Sequence, residues 1–398
     1  MTLAGQSVLV TGGTGFIGGR LIEKLLLEQH AHVRILTRSL VRVARIARFP
    51  VEIMCGDVTD RAIVAKAVQG CDMVFHCAYD FAGTRAYQRQ VGIQGVRNVG
   101  EAVLQERVPR LVHVSTFSVY APMPDGDLTE SSSWPRSSNA YVLIKREAER
   151  LMLNLHRQQG LPVVVVQPTL VYGPLSPHWT MTPIHHLKTG IVPLVEHGAG
   201  SCNAVYIDDV VDAMILAAMQ PDILGEAFLI SAEQPITWKM FYSAFEAILG
   251  IHATVDVSVE ELLEAVKKRR RRPSTLSQLI NLARHPEVFP QVAALPVVRH
   301  LLQVLRAQLS DTQWESLKAR MLQGARQDQG QSEHSSRPMH VPDETLLALY
   351  RSKTRVHIDK AKKRLSYVPK FDFARGIDVT SRFLHWANVE LKGKGIVI

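Results

Sequence analysis

The stretch Thr11-Gly12-Gly13-Thr14-Gly15-Phe16-Ile17-Gly18 stands between an apolar run and a helical pattern. The run Val8-Leu9-Val10 immediately before it has the length of a buried strand. After it, apolar residues recur at helical spacing over residues 21–26. The pattern therefore predicts a strand, a glycine-rich turn and a helix in direct succession, which is the context in which such a turn binds phosphate groups.

The glycines in this turn have separate physical roles. Gly12 permits a tight turn, Gly15 lets the backbone approach a ligand, and Gly18 lets the helix pack closely on the strand. Phe16 and Ile17 open the helix, whose free N–H groups and positive dipole end favour bound phosphate. We expect a pyrophosphate to bind here; the alternative is a tight turn that binds nothing.

Strand-like and helix-like segments alternate from here to about residue 170, which predicts an α/β fold with a doubly wound parallel sheet. Five further strands are predicted, at residues 33–36, 51–54, 73–76, 111–114 and 163–166. Helices are predicted at residues 91–105 and 141–155, and later at 210–219 and 373–386. The strand at 163–166 is apolar throughout, as expected of a parallel strand that is buried on both faces.

The composition sets broad limits on what the chain can be. At 398 residues, of which 46% are hydrophobic, it is long enough for two domains or for one large domain with an insertion. The four cysteines show no metal-binding or disulfide spacing, and residues 1–7 lack the pattern of a secretory signal. No apolar run is long enough to span a bilayer. We therefore expect a cytoplasmic protein with reduced cysteines.

Four further patterns follow the glycine turn in order. The fifth strand is followed by Ser115-Thr116-Phe117-Ser118-Val119-Tyr120, and the next helix carries Tyr141-Val142-Leu143-Ile144-Lys145. The sixth strand ends in Gln167-Pro168-Thr169-Leu170-Val171-Tyr172-Gly173-Pro174, and a later helix opens with Tyr206-Ile207-Asp208-Asp209. With the glycine turn, these motifs resemble the extended short-chain dehydrogenase/reductase family, the NAD(P)-dependent epimerase/dehydratase group. The resemblance covers residues 5–250 and, weakly, 363–386. It implies a Rossmann-type enzyme with a small-molecule substrate, and a homodimer is a family-level expectation.

A candidate catalytic site follows from these motifs. Tyr141 and Lys145 are four residues apart and share one face of a helix. A phenol, with an unperturbed pKa of about 10, is a poor acid or base at neutral pH, and a nearby ammonium group lowers that pKa by stabilising the phenolate. The resemblance implies that Lys145 also holds the nicotinamide ribose and that Thr116 orients the reacting oxygen, with Ser115 as the alternative.

The resemblance also implies the cofactor contacts. Relatives that prefer NAD usually carry an acidic residue at the end of the second strand, but this chain has Arg38 there. Because an arginine suits a 2′-phosphate, we expect NADP in preference to NAD, although either cofactor would allow Arg38 to stack on the adenine. Asp57 and Val58 match the family's adenine contacts, and Ala78 lies along the expected cofactor path.

Two positions depart from the family pattern. Gly92 stands where members often have Asn, a residue that can serve a proton relay, and Gln167 stands where Arg is common. The segment that begins at Thr116 also lacks the acidic pair of the sugar-nucleotide 4,6-dehydratases, so dehydration is not expected.

Three functions remain open. The first is ketone reduction or alcohol oxidation on a relatively apolar substrate, as in the dihydroflavonol reductases and 3β-hydroxysteroid dehydrogenases, and Arg38 and Phe117 favour it. The second is nucleotide-sugar epimerisation with retained NAD. The third is a non-catalytic cofactor-binding scaffold or redox sensor, which the intact Tyr141 and Lys145 count against and Gly92 keeps open.

We divide the chain where its pattern changes. Residues 1–170 form the predicted NAD(P)-binding domain, and residues 171–260, which are less regular and richer in proline, form the predicted substrate-binding part. Residues 261–341 form a basic helical insertion that includes a polar linker. Residues 342–398 are predicted to close the smaller, C-terminal substrate-binding part.

The insertion contains a concentrated basic segment in a chain of net charge +9. Residues 267–272 are all cationic, and apolar stripes at helical spacing follow at 298–309 and 314–321. These features indicate a solvated basic loop with helices that pack on the rest of the protein, or peripheral contact of residues 267–310 with an anionic membrane. No nucleic acid is expected, because no reader motif accompanies the run. No metal site is expected, because the histidines between 178 and 197 have no acidic or cysteine ligand interleaved at a useful spacing.

Overall fold

The computed structural model describes residues 3–271 and 337–387. The chain divides into two compact units, residues 1–258 with 342–398 and residues 259–341. The predicted apolar stripes at 298–309 and 314–321 lie outside the described residues. The parallel sheet and the candidate site both belong to the first unit.

Strands and helices alternate through the first part of the chain, and all six predicted strands are confirmed. The elements are, in chain order, β1 (Ser7–Thr11), α1 (Phe16–Leu27), β2 (His32–Thr37), β3 (Val51–Cys55), α2 (Arg61–Val68), β4 (Met73–His76), α3 (Arg85–Arg89), α4 (Val96–Gln105), β5 (Leu111–Val114), β6 (Gly126–Leu128), α5 (Ala140–Gln159) and β7 (Val163–Pro168).

The helix predicted at 91–105 begins earlier and is less regular than expected. Helical structure starts at Arg85, because the Thr84 side chain accepts from the Tyr87 N–H and caps α3. A π-helical segment, Gln90–Gly95, then joins α3 to α4. The segment contains Gly92, the position at which the chain departs from the family pattern.

The remaining elements follow β7 in chain order. They are β8 (Leu170–Tyr172), α6 (Thr182–Thr189), β9 (Val192–Val195), β10 (Ser201–Cys202), β11 (Ala204–Tyr206), α7 (Ile207–Met219), β12 (Ala227–Ile230), β13 (Ile236–Thr237), α8 (Trp238–Leu249), β14 (Thr254–Val257), α9 (Val259–Arg271, in the second unit), α10 (Glu344–Arg351), β15 (Thr354–Val356), α11 (Asp359–Leu365) and α12 (Phe373–Trp386). The strands among them are short, and all of them except β12 belong to small two-stranded sheets. Helix α7 begins at Ile207, within the motif Tyr206-Ile207-Asp208-Asp209 that is predicted to open it, and the two aspartates in its first turn suit a helix N-terminus.

Seven strands form one parallel sheet in the order β12-β7-β5-β4-β1-β2-β3. The order reverses between β1 and β4, where Thr11 is paired with His76. In open α/β sheets, ligands bind at the carboxyl ends of the strands beside such a reversal. The glycine turn after β1 and Ala78 after β4 both lie there. Strand β12, which was not predicted, pairs with β7 at one edge.

One face of the sheet packs against α2, α4 and α5 in a large apolar core. Strands β1, β4, β5 and β7 contribute Leu9, Val74, Leu111 and Val163, all of which are fully buried. Met152, on α5, packs in the same core. None of the described helices combines the length and the apolar character needed to cross a membrane.

The closing stretch is bound to the sheet-forming part by buried polar side chains. Asn203 donates to the Thr354 carbonyl at 2.9 Å and accepts from the Val356 N–H at 3.2 Å, which holds β15. Asp209, on α7, accepts from the backbone N–H groups of Lys370 at 2.7 Å and Phe371 at 3.1 Å. These contacts fix the chain on either side of α11.

The Asp209 contacts predict a stability effect. Asp209 is fully buried, so Asp209→Ala leaves two backbone N–H groups without their acceptor and should cost about 2–4 kcal/mol of unfolding free energy. Asp378→Ala, which removes an exposed carboxylate paired with Arg382, is the control and should cost less than about 0.5 kcal/mol. Urea denaturation followed by circular dichroism measures both. Equal stabilities of the two variants would contradict the role given to Asp209.

Candidate active site

The glycine turn brings the chain very close to the end of β4. Gly12 has φ +72°, and a Cβ atom there would lie 2.7 Å from the backbone nitrogen of Ala78. A Cβ atom at Gly18 would lie 2.4 Å from the carbonyl oxygen of Gly12. Both distances are far below van der Waals contact, so the turn requires glycine at both positions.

The turn leaves the first N–H groups of α1 available to a ligand. Gly15 is the N-cap of α1 and has no side chain to bond them. The N–H groups of Phe16, Ile17 and Gly18 therefore point from the positive end of the helix dipole without intrahelical acceptors. Gly15 itself is exposed. The residues predicted to hold a pyrophosphate thus form a cradle with the chemistry that an anionic group needs.

Arg38 belongs to a network of polar side chains beyond the end of β2. Its guanidinium pairs with Asp80 at 2.9 Å and donates to the Tyr87 hydroxyl at 2.5 Å. The Tyr87 hydroxyl donates to one oxygen of Asp57, whose other oxygen accepts from Thr59. The Arg38 side chain remains 42% exposed, so an anionic ligand can still reach it.

Asp80 fixes Arg38 from the loop that follows β4. Burial disfavours the charge of Asp80, but the N–H groups of Gly83 and Ala82 and the Arg38 guanidinium outweigh it and hold the pKa of Asp80 below its ordinary value. Each N–H group donates at 2.8 Å. The carboxylate is therefore ionised at neutral pH, and Arg38 has one negative partner before any ligand binds.

Val58 is placed beside the same edge by packing. A Cβ atom at Gly95 would lie 2.8 Å from Val58 Cγ2, and the Val58 carbonyl accepts from Asn98 at 2.9 Å. Its position is thus set by α4 and by the segment before it. Among the predicted cofactor residues, Ala78 is the one in direct contact with the glycine turn.

Tyr141 and Thr116 come together at the carboxyl end of β5. Tyr141 lies in the first turn of α5, and its phenol interacts with the Thr116 hydroxyl. Burial raises the pKa of Tyr141 well above its ordinary value, and the Thr116 interaction opposes that rise. The predicted orienting hydroxyl is therefore next to the predicted acid/base.

Lys145 lies one turn further along α5. Its ammonium donates to the Val114 carbonyl at 3.0 Å and is 5.1 Å from the centroid of the Tyr79 ring. Burial lowers the pKa of Lys145 to about 8, although Cys77 and Glu149 oppose this. Because its hydrogen bond goes to Val114, Lys145 is a helical neighbour of Tyr141 and not its hydrogen-bond partner in this structure.

Ser115 faces a different partner from Thr116. Its hydroxyl donates to Glu149 at 2.5 Å, and the other Glu149 oxygen accepts from Gln167 Nε2 at 2.8 Å. Of the two candidate orienting hydroxyls, Thr116 is the one that the structure places beside Tyr141.

Two aromatic residues that sequence reasoning missed border this site. The Tyr79 ring meets Tyr141 edge-on, with 5.3 Å between centroids. The Phe81 ring lies 5.6 Å from Tyr141 and 4.7 Å from His178, and it remains 56% exposed. The signal that could have found both residues is their position directly after Ala78, at the end of a strand beside the expected reversal of the sheet.

The Ile144 side chain occupies the space beside Gly92. A Cβ atom at Gly92 would lie 2.4 Å from Ile144 Cγ2 and 3.4 Å from the Tyr79 ring. An Asn side chain, which members of the family often have here, would not fit without displacing Ile144. The Tyr79 hydroxyl is buried and makes no hydrogen bond within the described part of the protein.

Two histidines are buried near Lys145. His76 and His113 are paired on β4 and β5, their rings stack with 5.4 Å between centroids, and His76 Nδ1 lies 2.7 Å from the Thr11 hydroxyl. Burial and the nearby Lys145 charge lower the pKa of His76 to about 3, and burial also lowers that of His113, so both are neutral at pH 7. Over residues 3–271 and 337–387, no group of three or more histidine, cysteine or acidic side chains could hold a metal ion.

Comparison with known proteins matches residues 8–231 to the NAD dependent epimerase/dehydratase family. A 2-alkyl-3-oxoalkanoate reductase of Shewanella oneidensis is 29% identical over 257 residues, which are 61% of this chain and 66% of that protein. A 3beta-hydroxysteroid-dehydrogenase/decarboxylase of Arabidopsis thaliana is 27% identical over 269 residues, 61% of either protein. The match therefore spans less than two thirds of the length of each relative.

The fold also matches solved structures. DesIV, a dTDP-glucose 4,6-dehydratase of Streptomyces venezuelae with NAD and TYD bound, superposes with a TM-score of 0.65 over 96% of this chain and 98% of that chain. The two sequences are 19% identical, so this similarity concerns the fold alone. The doubly wound parallel sheet predicted from the sequence is confirmed.

The glycine turn gives a prediction with a matched control. Gly12 and Gly70 both have φ +72°, but a Cβ atom at Gly70 would meet no atom within 4 Å. Gly70→Ala should lose about 1–2 kcal/mol of stability from the left-handed backbone, and Gly12→Ala should lose more, because its methyl group would also meet the backbone at Ala78. Gly12→Ala alone should also weaken the binding of NADPH and NADH, by at least about tenfold, because it displaces the chain at Ala78. Fluorescence titration measures the affinities, and equal nucleotide binding by both variants would contradict the prediction.

Proposed function

This chain belongs to the NAD dependent epimerase/dehydratase family, and we propose that it reduces the carbonyl group of a relatively apolar ketone with NADPH, or oxidises the corresponding alcohol. The observation that carries the proposal is the exposed Phe81 ring in contact with Tyr141. An enzyme of this family with a proton donor against an apolar surface is suited to a substrate whose reacting oxygen is attached to an apolar body.

The aromatic surface at Tyr141 is the argument for an apolar substrate. An aromatic side chain that leaves more than half of its surface in water gains free energy when a ligand covers it. Phe81, beside Tyr141, is an aromatic side chain exposed in this way. The His178 ring contacts Phe81 and adds to the same aromatic surface. The activities in the names of the two relatives, an oxoalkanoate reductase and a hydroxysteroid dehydrogenase, are of the same chemical kind.

Each residue of the site has a role in the proposed reaction. The nicotinamide cofactor, when bound, supplies the hydride. Tyr141 donates its hydroxyl proton to the carbonyl oxygen as negative charge develops there, and Thr116 donates a hydrogen bond that orients the same oxygen. Lys145 stabilises the phenolate that remains, and it would hold the nicotinamide ribose when the cofactor is bound. In the oxidation direction the same groups act in reverse.

The cofactor would lie along the carboxyl ends of β1, β2 and β4. The glycine turn and the N–H groups of Phe16, Ile17 and Gly18 would hold the pyrophosphate. We propose that Arg38 binds the 2′-phosphate of NADP, because its guanidinium is partly exposed and held at the end of β2. Asp57 and Val58 would contact the adenosine.

The substrate side is proposed to come from residues 171–260 and 342–398. Part of this region reaches the site directly, since His178 lies in the segment Pro177–Met181 and contacts Phe81. The irregular elements after β7 would then determine the shape of the substrate that Tyr141 can reach.

Tyr141→Phe tests the catalytic assignment. The change removes the proton donor and keeps the ring, so it should lower kcat for reduction of an aryl alkyl ketone such as propiophenone by about 10²–10⁴-fold. The affinity for NADPH should stay within about twofold of the unaltered protein, because the phenol proton is not needed to bind the nucleotide. Absorbance of NADPH follows turnover and fluorescence follows binding. A variant that turns over normally would remove Tyr141 from the mechanism.

The nucleotide carried by the purified protein separates the proposal from its alternatives. Denaturation followed by mass spectrometry identifies any bound nucleotide. An empty protein that binds NADPH more tightly than NADH supports a reductase with an exchanging cofactor. Stoichiometric retained NAD would support epimerisation, and failure to bind either nucleotide would contradict the enzyme assignment.

Arg38→Ser tests the cofactor preference. Loss of a charge-assisted contact should weaken NADPH binding by about 10–100-fold and leave NADH binding within about threefold. Arg89→Ser is the control, because it removes an arginine whose guanidinium is bidentate to Glu147. Asp80→Asn should shift the preference further toward NADPH, since it removes the negative charge that competes for Arg38. Unchanged nucleotide preference in Arg38→Ser would contradict the assignment.

A further inference from the structure

A buried carboxylate that the proposed reaction does not use lies on the catalytic helix. Tyr141, Lys145 and Glu149 follow one another at intervals of four residues, so they share one face of α5. Glu149 is only 2% exposed. A carboxylate so deeply buried is costly unless it is paired and hydrogen-bonded. Its partners therefore indicate what it does.

Glu149 is fixed in place by donors from two strand ends. One oxygen accepts from Ser115 at 2.5 Å and the other from Gln167 Nε2 at 2.8 Å. Gln167 is held in turn by the Tyr120 hydroxyl, which donates to its Oε1 at 3.2 Å. Both oxygens thus accept hydrogen bonds, which is the pattern of an ionised carboxylate. Burial holds the pKa of Glu149 above its ordinary value, although Ser115, Gln167, Lys145 and Arg150 oppose it by favouring the charged form.

The groups around the Lys145 ammonium are otherwise neutral. It donates to the Val114 carbonyl and faces the Tyr79 ring. The rings of His76 and His113 carry no charge at pH 7, and burial raises the pKa of the Cys77 thiol to about 12. Among the groups that act on Lys145 in the described part of the protein, Glu149 is therefore the carboxyl group, and its ionised form would supply negative charge.

We propose that Glu149 is a positioning residue: its carboxylate, oriented by Ser115 and Gln167, keeps Lys145 in the ammonium form one helical turn from Tyr141. The catalytic meaning of this role rests on the function proposed above, but the charge pairing itself does not. Removing the carboxylate would leave a buried ammonium with one carbonyl and one aromatic ring as partners. Lys145 would then lose its proton at lower pH, and Tyr141 would lose the positive charge that stabilises its phenolate.

The substrate-free protein provides the first test. Protein labelled with ¹³Cε-lysine gives one resonance per lysine, and Lys145→Arg assigns the one that belongs to Lys145. The pKa of Lys145, about 8 in the unaltered protein, should fall by about one unit in Glu149→Gln, a tenfold loss of proton affinity. The amide of this variant can still bond Gln167 and Ser115, so it removes charge more than packing.

Glu147→Gln is the matched control. Glu147 lies two residues earlier on α5 and pairs with Arg89 at the surface, so the pKa of Lys145 should stay unchanged. Glu149→Asp retains the carboxylate and should keep the pKa of Lys145 closer to that of the unaltered protein. An unchanged Lys145 titration in folded Glu149→Gln overturns the proposal.

Two further measurements keep the proposal testable if Glu149→Gln does not fold. Glu149→Met removes the same charge with an apolar chain of similar volume and should lower the pKa of Lys145 at least as much. In the unaltered protein, the ¹³Cδ resonance of Glu149, assigned with Glu149→Asp, should be that of an ionised carboxylate at pH 7. A protonated Glu149 at that pH overturns the proposal without any need for the charge-removing variants.

The pH profile of activity distinguishes charge positioning from simple structural support. With propiophenone and NADPH, kcat of Glu149→Gln should match the unaltered protein below the lysine pKa and decline about one pH unit earlier on the alkaline side. A structural defect would lower kcat at every pH.

If the protein shows no ketone reduction but the lysine titration shifts as expected, the proposed function fails and the Glu149–Lys145 pairing stands. An unshifted titration in a protein that reduces ketones normally would overturn the pairing and leave the proposed function intact.

Discussion

Close contact between two strand ends is the constraint from which the geometry of the site follows. The backbone of Gly12, held at φ +72°, passes so near Ala78 that even a methyl group is excluded. The two loops meet because β1 and β4 are adjacent parallel strands, paired through Thr11 and His76. The reversal of strand order at this point places the proposed phosphate cradle and one wall of the proposed catalytic site on the same edge of the sheet.

Helix α5 packs along the same strands, and its buried residues are polar toward one end and apolar toward the other. Toward its C-terminal end, Met152 and Leu155 pack in the apolar core with Leu111 and Val163. Toward its N-terminal end, Lys145 and Glu149 meet polar groups at the ends of β5 and β7. The core holds the helix against the sheet, and this rigidity fixes the charged residues at the active edge. Catalytic groups that sit on a packed helix lose little freedom when a ligand binds.

Much of the fold could be predicted from the sequence because the buried strands are short apolar runs between turn residues. The early start of the helix at Arg85 depends on the capping side chain of Thr84, whose effect is clear only once its partner is known. The family resemblance favoured Thr116 over Ser115 as the orienting hydroxyl, but it could not give the partner of either residue, because adjacent residues at a strand end point to opposite sides. Ser115 reaches Glu149, and Thr116 reaches Tyr141. The pairing of Arg38 with Asp80 could not be predicted from the sequence either, because it depends on the order of the strands in the sheet.

The Tyr79 ring and the buried Glu149 both act on the Lys145 ammonium. The Tyr79 ring presents its face to Lys145, with 5.1 Å between the ammonium and the ring centroid. A ring face attracts an ammonium by about 0.5–2 kcal/mol but accepts no proton and carries no net charge. One carbonyl hydrogen bond and one ring do not compensate for the loss of water around a buried ammonium. A second source of stabilisation must therefore lie nearby, and the carboxylate one turn along the same helix is placed to supply it.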